Sequence, residues 1–284
     1  MIRSVLVALD GSKASEVATE MAIRFVEQKR ADRADTAPLL TGIAVLDRPT
    51  ITKPQATPVG GGALKKERDA ALLAEAEAKT QKILDVFQNA CEKFHIEHAT
   101  VRPVGLPYEA IAYEGHLHDL IVIGRDTNFH FQTSDDPCET FKSLVRDHPC
   151  PIVVTPNEVP HGNVVLVAYD GSRAAARALH TFALMNLNLE GLEVHVVRVD
   201  NDLKRSEELC SEAAEYLRRR GIESQTHAEV TSGKITPALV ELAGRQGTRV
   251  MVMGAYGHTG LRILFFGSTT RELVERCPFP IFVY

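Results

Sequence analysis

The chain has 284 residues, of which 44% are hydrophobic and 24% charged, with a formal net charge of −5 at pH 7. That length suits two domains and the apolar share suffices for a core in each, so disorder is not the default state. The acidic balance supplies no bulk attraction for nucleic acid or for an anionic membrane.

From its first residues the chain runs into "IRSVLVAL" with no basic leader and no cleavage site, and no stretch of about 18 apolar residues follows anywhere. Neither secretion nor a membrane span is expected. Cys91, Cys138, Cys150, Cys210 and Cys277 are odd in number and form no C-x-x-C pair. That pattern argues against a disulfide framework or a zinc ribbon and suits the reducing cytoplasm.

The octapeptide "VLVALDGS" at 5–12 returns as "VLVAYDGS" at 165–172, "DLIVIG" at 119–124 as "RVMVMG" at 249–254, and "CPIVVTP" at 150–156 as "FPIFVY" at 279–284. Three matches in one order mean an internal duplication, with halves 1–157 and 158–284. In the first half a second strand is expected at 39–46, followed by an inserted loop at 48–66 that is rich in proline and contains Gly60, Gly61 and Gly62. A long helix should follow with Leu72, Ala76, Ile83, Phe87 and Phe94 on its buried face. The stretch 155–163 reads as the linker.

In the second half, short Val- and Ile-rich runs at 164–169, 192–199, 250–253 and 280–284 read as strands covered on both faces, and the polar run 223–230 as a further strand. Helical spacing appears at 172–187, 203–220 and 235–246. The alternation predicts an α/β fold: two tandem doubly wound domains, each a five-stranded parallel sheet flanked by helices, with the ligand crevice at the carboxyl ends of the strands.

The segment "VMGAYGHTGLRILFFGSTTREL" at 252–273 places Gly254, Gly257 and Gly267 ahead of Ser268, Thr269 and Thr270, with a helix expected over 268–275. Unpaired N–H groups in such a first turn can hold phosphate oxygens, and glycines let main chain approach a ligand. Equally, the glycines can be turns and Ser268 an N-cap. No G-x-x-x-x-G-K-[ST] is present, and no G-x-G-x-x-G follows either first strand.

The pattern Gly254-x2-Gly257-x9-Gly267-Ser268, preceded by "RVMVMG" and headed by "VAYDGS", resembles the ATP-binding class of the universal stress protein family. As a tandem pair the resemblance covers nearly the whole chain. It implies a Rossmann-like fold in which Asp170 lies beside the ribose and base, and main chain near Val199 reads adenine. Gly254 then contacts the sugar or phosphate end, and Gly257, Gly267, Ser268, Thr269 and Thr270 surround the phosphates. His258, inside the loop, is either a phosphate contact or a solvated loop histidine. The implied ligand is ATP, ADP or AMP, with Mg2+ a candidate companion.

The first half departs from this pattern. It keeps Asp10, Gly11, Ser12 and Gly124, but Thr127 replaces the second glycine, and Asp135, Asp136, Pro137 and Cys138 stand near the place of the third. Nucleotide binding is therefore expected in the second half alone. The expected function is that of a nucleotide-binding regulatory protein rather than an enzyme. A slow ATPase and an interaction scaffold are the alternatives, and a metal site among the histidines from His95 to His161 is a minor one. By resemblance, the last strands of the halves, 151–155 and 280–284, pair within the chain as a pseudo-dimer, and a further homodimer and a regulatory protein partner are implied.

Overall fold

The computed structural model describes residues 2–284 apart from 32–37, 56–60, 131–138, 159–160, 186–190 and 256–267, and side chains at 28–31, 139, 147 and 268 also lie outside the description. The chain packs as two compact units, one spanning Arg3–Leu144 and the other Val145–Tyr284 with Met1–Ile2.

In the Arg3–Leu144 unit, strand β1 (Ser4–Ala8) is flanked by β2 (Leu39–Ile43) and β4 (Leu120–Gly124), and β3 (His98–Val101) lies outside β2. All neighbours are parallel. β1 and β4 are near-continuous apolar runs because helices cover both of their faces. Helix α1 (Lys13–Ala31) packs on β1 and β4, α3 (Gly62–Lys93) on β2 and β3, and α4 (Pro107–Gly115) on β1.

Two expectations for this unit need correction. The inserted stretch 48–66 is not all loop: it opens with a short helix α2 (Arg48–Ile51), capped by the Asp47 carboxylate on the Thr50 amide, and α3 has already begun at Gly62. The buried stripe of α3 runs through Asp69, Ala76, Thr80, Leu84, Phe87 and Cys91, whereas Ile83 is half-buried and Phe94 exposed. The reason is the helix end. His95 takes a left-handed φ of 53°, and the Ile96 amide turns back onto the Cys91 carbonyl at 2.9 Å, so Ile96 rather than Phe94 enters the core.

The Val145–Tyr284 unit carries the parallel order β8 (Ser224–Val230), β7 (Glu193–Asp200), β6 (Val164–Ala168), β9 (Thr248–Met253) and β10 (Ile281–Val283). Strand β5 (Ile152–Thr155), assigned to the first half on sequence, belongs to this unit and pairs antiparallel with β10, Val153 opposite Phe282. Physically, "PIVVT" and "PIFVY" are apolar edges that satisfy each other's main-chain hydrogen bonds.

Helix α5 (Glu139–Asp147) precedes β5, and α6 (Arg173–Met185), α7 (Leu203–Arg218), α8 (Ile235–Arg245) and α9 (Ser268–Arg276) follow β6, β7, β8 and β9 in turn. The chain leaves β6 for β7 on one side, while β9 lies on the other. That reversal opens a crevice at the carboxyl ends of β6 and β9, the usual ligand position in a doubly wound sheet. Among the described residues no helix is long and apolar enough to cross a membrane.

Candidate functional site

The crevice is built by a short device used in both units. In "YDGS", Asp170 Oδ1 accepts the Ser172 amide at 2.8 Å, Gly171 takes φ 78°, and the Ser172 hydroxyl oxygen accepts the Ala175 amide at 3.1 Å. The aspartate thus closes a turn and the serine caps α6. Asp10, Gly11 and Ser12 repeat the arrangement, with the Ser12 amide on Asp10 Oδ1 at 2.9 Å and the Ser15 amide on the Ser12 hydroxyl at 3.2 Å.

Around Asp170 lies a cavity of about 360 Å3. Its apolar wall comprises Ala168, Val197, Ile235, Leu239 and Met253, and its polar rim includes Tyr169, Arg198 and Asp200. Volume and lining fall within the range of small-molecule sites. Thr269 and Thr270, in the first turn of α9, bring a helix N-terminus to the same cavity, and the Thr270 hydroxyl reaches the Gly254 carbonyl at 3.4 Å.

Of the residues singled out on sequence, Asp170, Val199, Gly254, Thr269 and Thr270 all line this one cavity. Ser268 opens α9, its side chain outside the description. Gly257, His258 and Gly267 lie outside the described residues. Gly254 has a requirement of its own: a Cβ there would stand 2.5 Å from the Ala174 carbonyl carbon and the Ala175 nitrogen. The start of α6 presses against the end of β9, and only glycine leaves it room.

Sequence reasoning missed Arg198 and Asp200. They alternate at the carboxyl end of a Val-rich strand in "VHVVRVD", and that spacing was the available signal. The Arg198 guanidinium donates from Nη1 to the Asp170 carbonyl at 2.6 Å and pairs through Nη2 with the Asp200 carboxylate. The Asn201 amide, donating to Asp200 Oδ1 at 2.7 Å, and the Arg198 charge together hold the Asp200 carboxyl below its ordinary pKa, against the opposing effect of burial. Tyr169 is shifted the other way, chiefly by burial and then by the Glu212 and Asp170 charges, so its phenol stays protonated.

The corresponding place in the Arg3–Leu144 unit is filled by its own chain. The Asn128 amide donates to Asp10 Oδ2 at 2.6 Å, the Thr127 hydroxyl to the Gly124 carbonyl at 2.8 Å, and the His130 amide to Asn128 Oδ1 at 2.9 Å. His130 Nδ1 pairs with the buried Asp47 carboxylate, and Phe129 is 1% exposed. Asp135, Asp136, Pro137 and Cys138 lie outside the described residues. Among the described residues no three His, Cys, Asp or Glu side chains gather as a metal site, and no disulfide joins Cys91, Cys150, Cys210 or Cys277.

Residues 163–284 match the universal stress protein family. A universal stress protein of Synechocystis is 26% identical over 168 residues, a match spanning 58% of this chain and 58% of that relative's length. A universal stress protein of Archaeoglobus fulgidus shares the fold, with a TM-score of 0.70 and 20% identity over 99% of this chain and 97% of that one. A more distant universal stress protein, solved in complex with cAMP, has a TM-score of 0.35 at 18% identity over 44% of this chain and 97% of that one.

Proposed function

We propose that this chain, whose residues 163–284 match the universal stress protein family, is a nucleotide-binding regulatory protein that holds an adenine nucleotide in the crevice between β6 and β9. One observation carries the reading: Asp170, Val199, Gly254, Thr269 and Thr270, chosen on motif resemblance, share one cavity of about 360 Å3. The fit is chemical as well as spatial. An apolar slot between Val197, Ile235, Leu239 and Met253 suits a flat base, and the Asp170 carboxylate suits a sugar diol. The first turn of α9 offers N–H donors and the positive end of a helix dipole to phosphates. Ser268, Thr269 and Thr270 are the residues of that turn, and Gly257, His258 and Gly267 complete the motif in sequence.

In this reading ATP is held rather than turned over, and the Arg3–Leu144 unit takes none. The second point is supported by Thr127, Asn128 and Phe129, which fold back onto the Gly124 and Asp10 end of that sheet. Calorimetric titration with ATP tests the proposal. One site per chain, abolished by Gly267→Glu through a carboxylate set among phosphates, is the expected result. Two sites, or none, would refute it, and multiple-turnover phosphate release would make the protein an ATPase.

A further inference from the structure

The two units share a framework that allows position-by-position comparison. Val5 and Val165 start the repeated octapeptide, Val5 pairs with Leu40, and Val165 pairs with Val194. Leu40 therefore corresponds to Val194. The main-chain bonds agree: the Leu9 amide donates to the Ile43 carbonyl at 2.9 Å, and the Tyr169 amide to the Val197 carbonyl at 3.0 Å. On this register Arg198 stands where the other unit has Ala44, and Asp200 where it has Leu46, both of them buried and apolar. A charged pair has thus been placed at the crevice of the unit that keeps the glycine motif, and at no corresponding place in the other.

The pair is costly to maintain there. The Arg198 side chain is 14% exposed, and its buried Nε–H meets no acceptor among the described residues. An unmet buried donor is unfavourable, so an arginine kept in that state needs a compensating task. Its guanidinium bonds supply one. Nη2 is anchored on Asp200, and Nη1 holds the main-chain carbonyl of Asp170, the residue whose Oδ1 is already committed to the Ser172 amide. Clamped at its carbonyl and at one carboxylate oxygen, Asp170 keeps Oδ2 without a partner among the described residues. In the other unit the equivalent oxygen, Asp10 Oδ2, is taken by the Asn128 amide.

We propose that Arg198 is a positioning residue of the nucleotide crevice, fixing the Asp170 turn so that Oδ2 accepts hydroxyl protons from the ligand's ribose diol. The proposal rests on the nucleotide reading above and adds to it the means by which the sugar is selected. Arg198 acts through Asp170, so its effect is confined to ligands that carry the hydroxyls Asp170 reads. Lysine cannot replace the fork that bridges the Asp170 carbonyl and Asp200 at once.

The test titrates wild-type protein, R198M and R198K with ATP and with 2′,3′-dideoxy-ATP, and measures amide hydrogen exchange at Ser172 in ligand-free protein. Methionine keeps the apolar stem and removes the fork. R198M should bind ATP about tenfold more weakly, the loss associated with one hydrogen bond to a charged group, and dideoxy-ATP as well as wild type does. R198K should fall between. Exchange at Ser172 should quicken in R198M, because a loosened Asp170 releases that amide. Equal losses for both ligands, or no loss for ATP, would overturn the proposal. If wild-type protein takes up neither nucleotide, the nucleotide reading fails separately, and unchanged Ser172 exchange in R198M would then overturn the positioning role on its own.

Discussion

The Asn128 amide donates to Asp10 Oδ2 at 2.6 Å, so an aspartate that lines an open crevice in one unit is an internal tie in the other. Asp10 is 6% exposed and also accepts the Ser12 amide, whereas Asp170, with the same turn around it, is exposed. One residue type has two environments and two consequences. Asp10→Ala strands two main-chain donors in a buried place and should cost about 1–3 kcal/mol of stability while leaving ATP stoichiometry unchanged. Asp170→Ala strands one part-buried amide, that of Ser172, rather than two, so it should cost less than Asp10→Ala, and it should weaken ATP binding. Denaturant unfolding and calorimetric titration of the two variants read this crossed pattern.

The crossing also marks what the sequence disclosed. The family resemblance carried by the octapeptide and the glycine motif picked out Asp170, Val199, Gly254, Thr269 and Thr270, which line one cavity, because each sits at a strand end or at the start of α9. Arg198 and Asp200 escaped because their meaning depends on partners that are not local in the chain: the Asp170 carbonyl lies 28 positions away. The Asn128 amide escaped for the same reason, 118 positions from Asp10. The stripe of α3 shifted because a left-handed His95 decided which hydrophobe follows the helix inward, and no periodicity records a single φ angle.

A pair of histidines sets an acid-sensitive contribution to stability. His195 and His227 approach at 3.2 Å between Nδ1 and Nε2, and His195 Nε2 meets Glu193 Oε2 at 3.3 Å. Burial, and then His195, depress the His227 pKa below its ordinary 6.5, only partly offset by Glu229. Well above pH 6.5 His227 is neutral whether folded or unfolded. As pH falls through 6.5 the unfolded chain binds a proton that the folded imidazole refuses, so stability declines until the folded pKa is passed. Urea midpoints at pH 8.0, 6.5 and 5.5 should fall along this series, and His227→Gln should flatten the slope attributable to this residue.

Thiol reactivity should follow burial rather than position along the chain. Desolvation raises the Cys91 pKa to about 12 and the Cys210 pKa to about 11, and both side chains are fully enclosed. At pH 8 neither presents a thiolate to reagent. Cys150 is only partly buried. Iodoacetamide on native protein, followed by peptide mass mapping, should label Cys150 ahead of Cys91 and Cys210, which should react only after denaturant unfolds the chain. Early labelling of Cys210 would mean that α7 opens from β8 under native conditions.

Gly124 and Gly254 separate the demands of folding from those of a ligand. A Cβ on Gly124 would stand 2.6 Å from Ala14 Cβ and 2.7 Å from the Ala14 carbonyl carbon, and one on Gly254 would meet the Ala174 and Ala175 main chain at 2.5 Å. In each unit the obstacle is the first turn of the helix that follows the "DGS" turn, and it cannot swing aside as a side chain would. The glycine therefore persists in the unit where Thr127 has displaced the second glycine of the motif. Gly124→Ala and Gly254→Ala should each destabilise by about 1–3 kcal/mol through overpacking. If Gly254 also touches the nucleotide, Gly254→Ala should lose more affinity for ATP than its own loss of stability requires, whereas Gly124→Ala should lose none. Comparing ATP affinity at a temperature well below both unfolding transitions separates the two contributions, since there almost every molecule of either variant is folded.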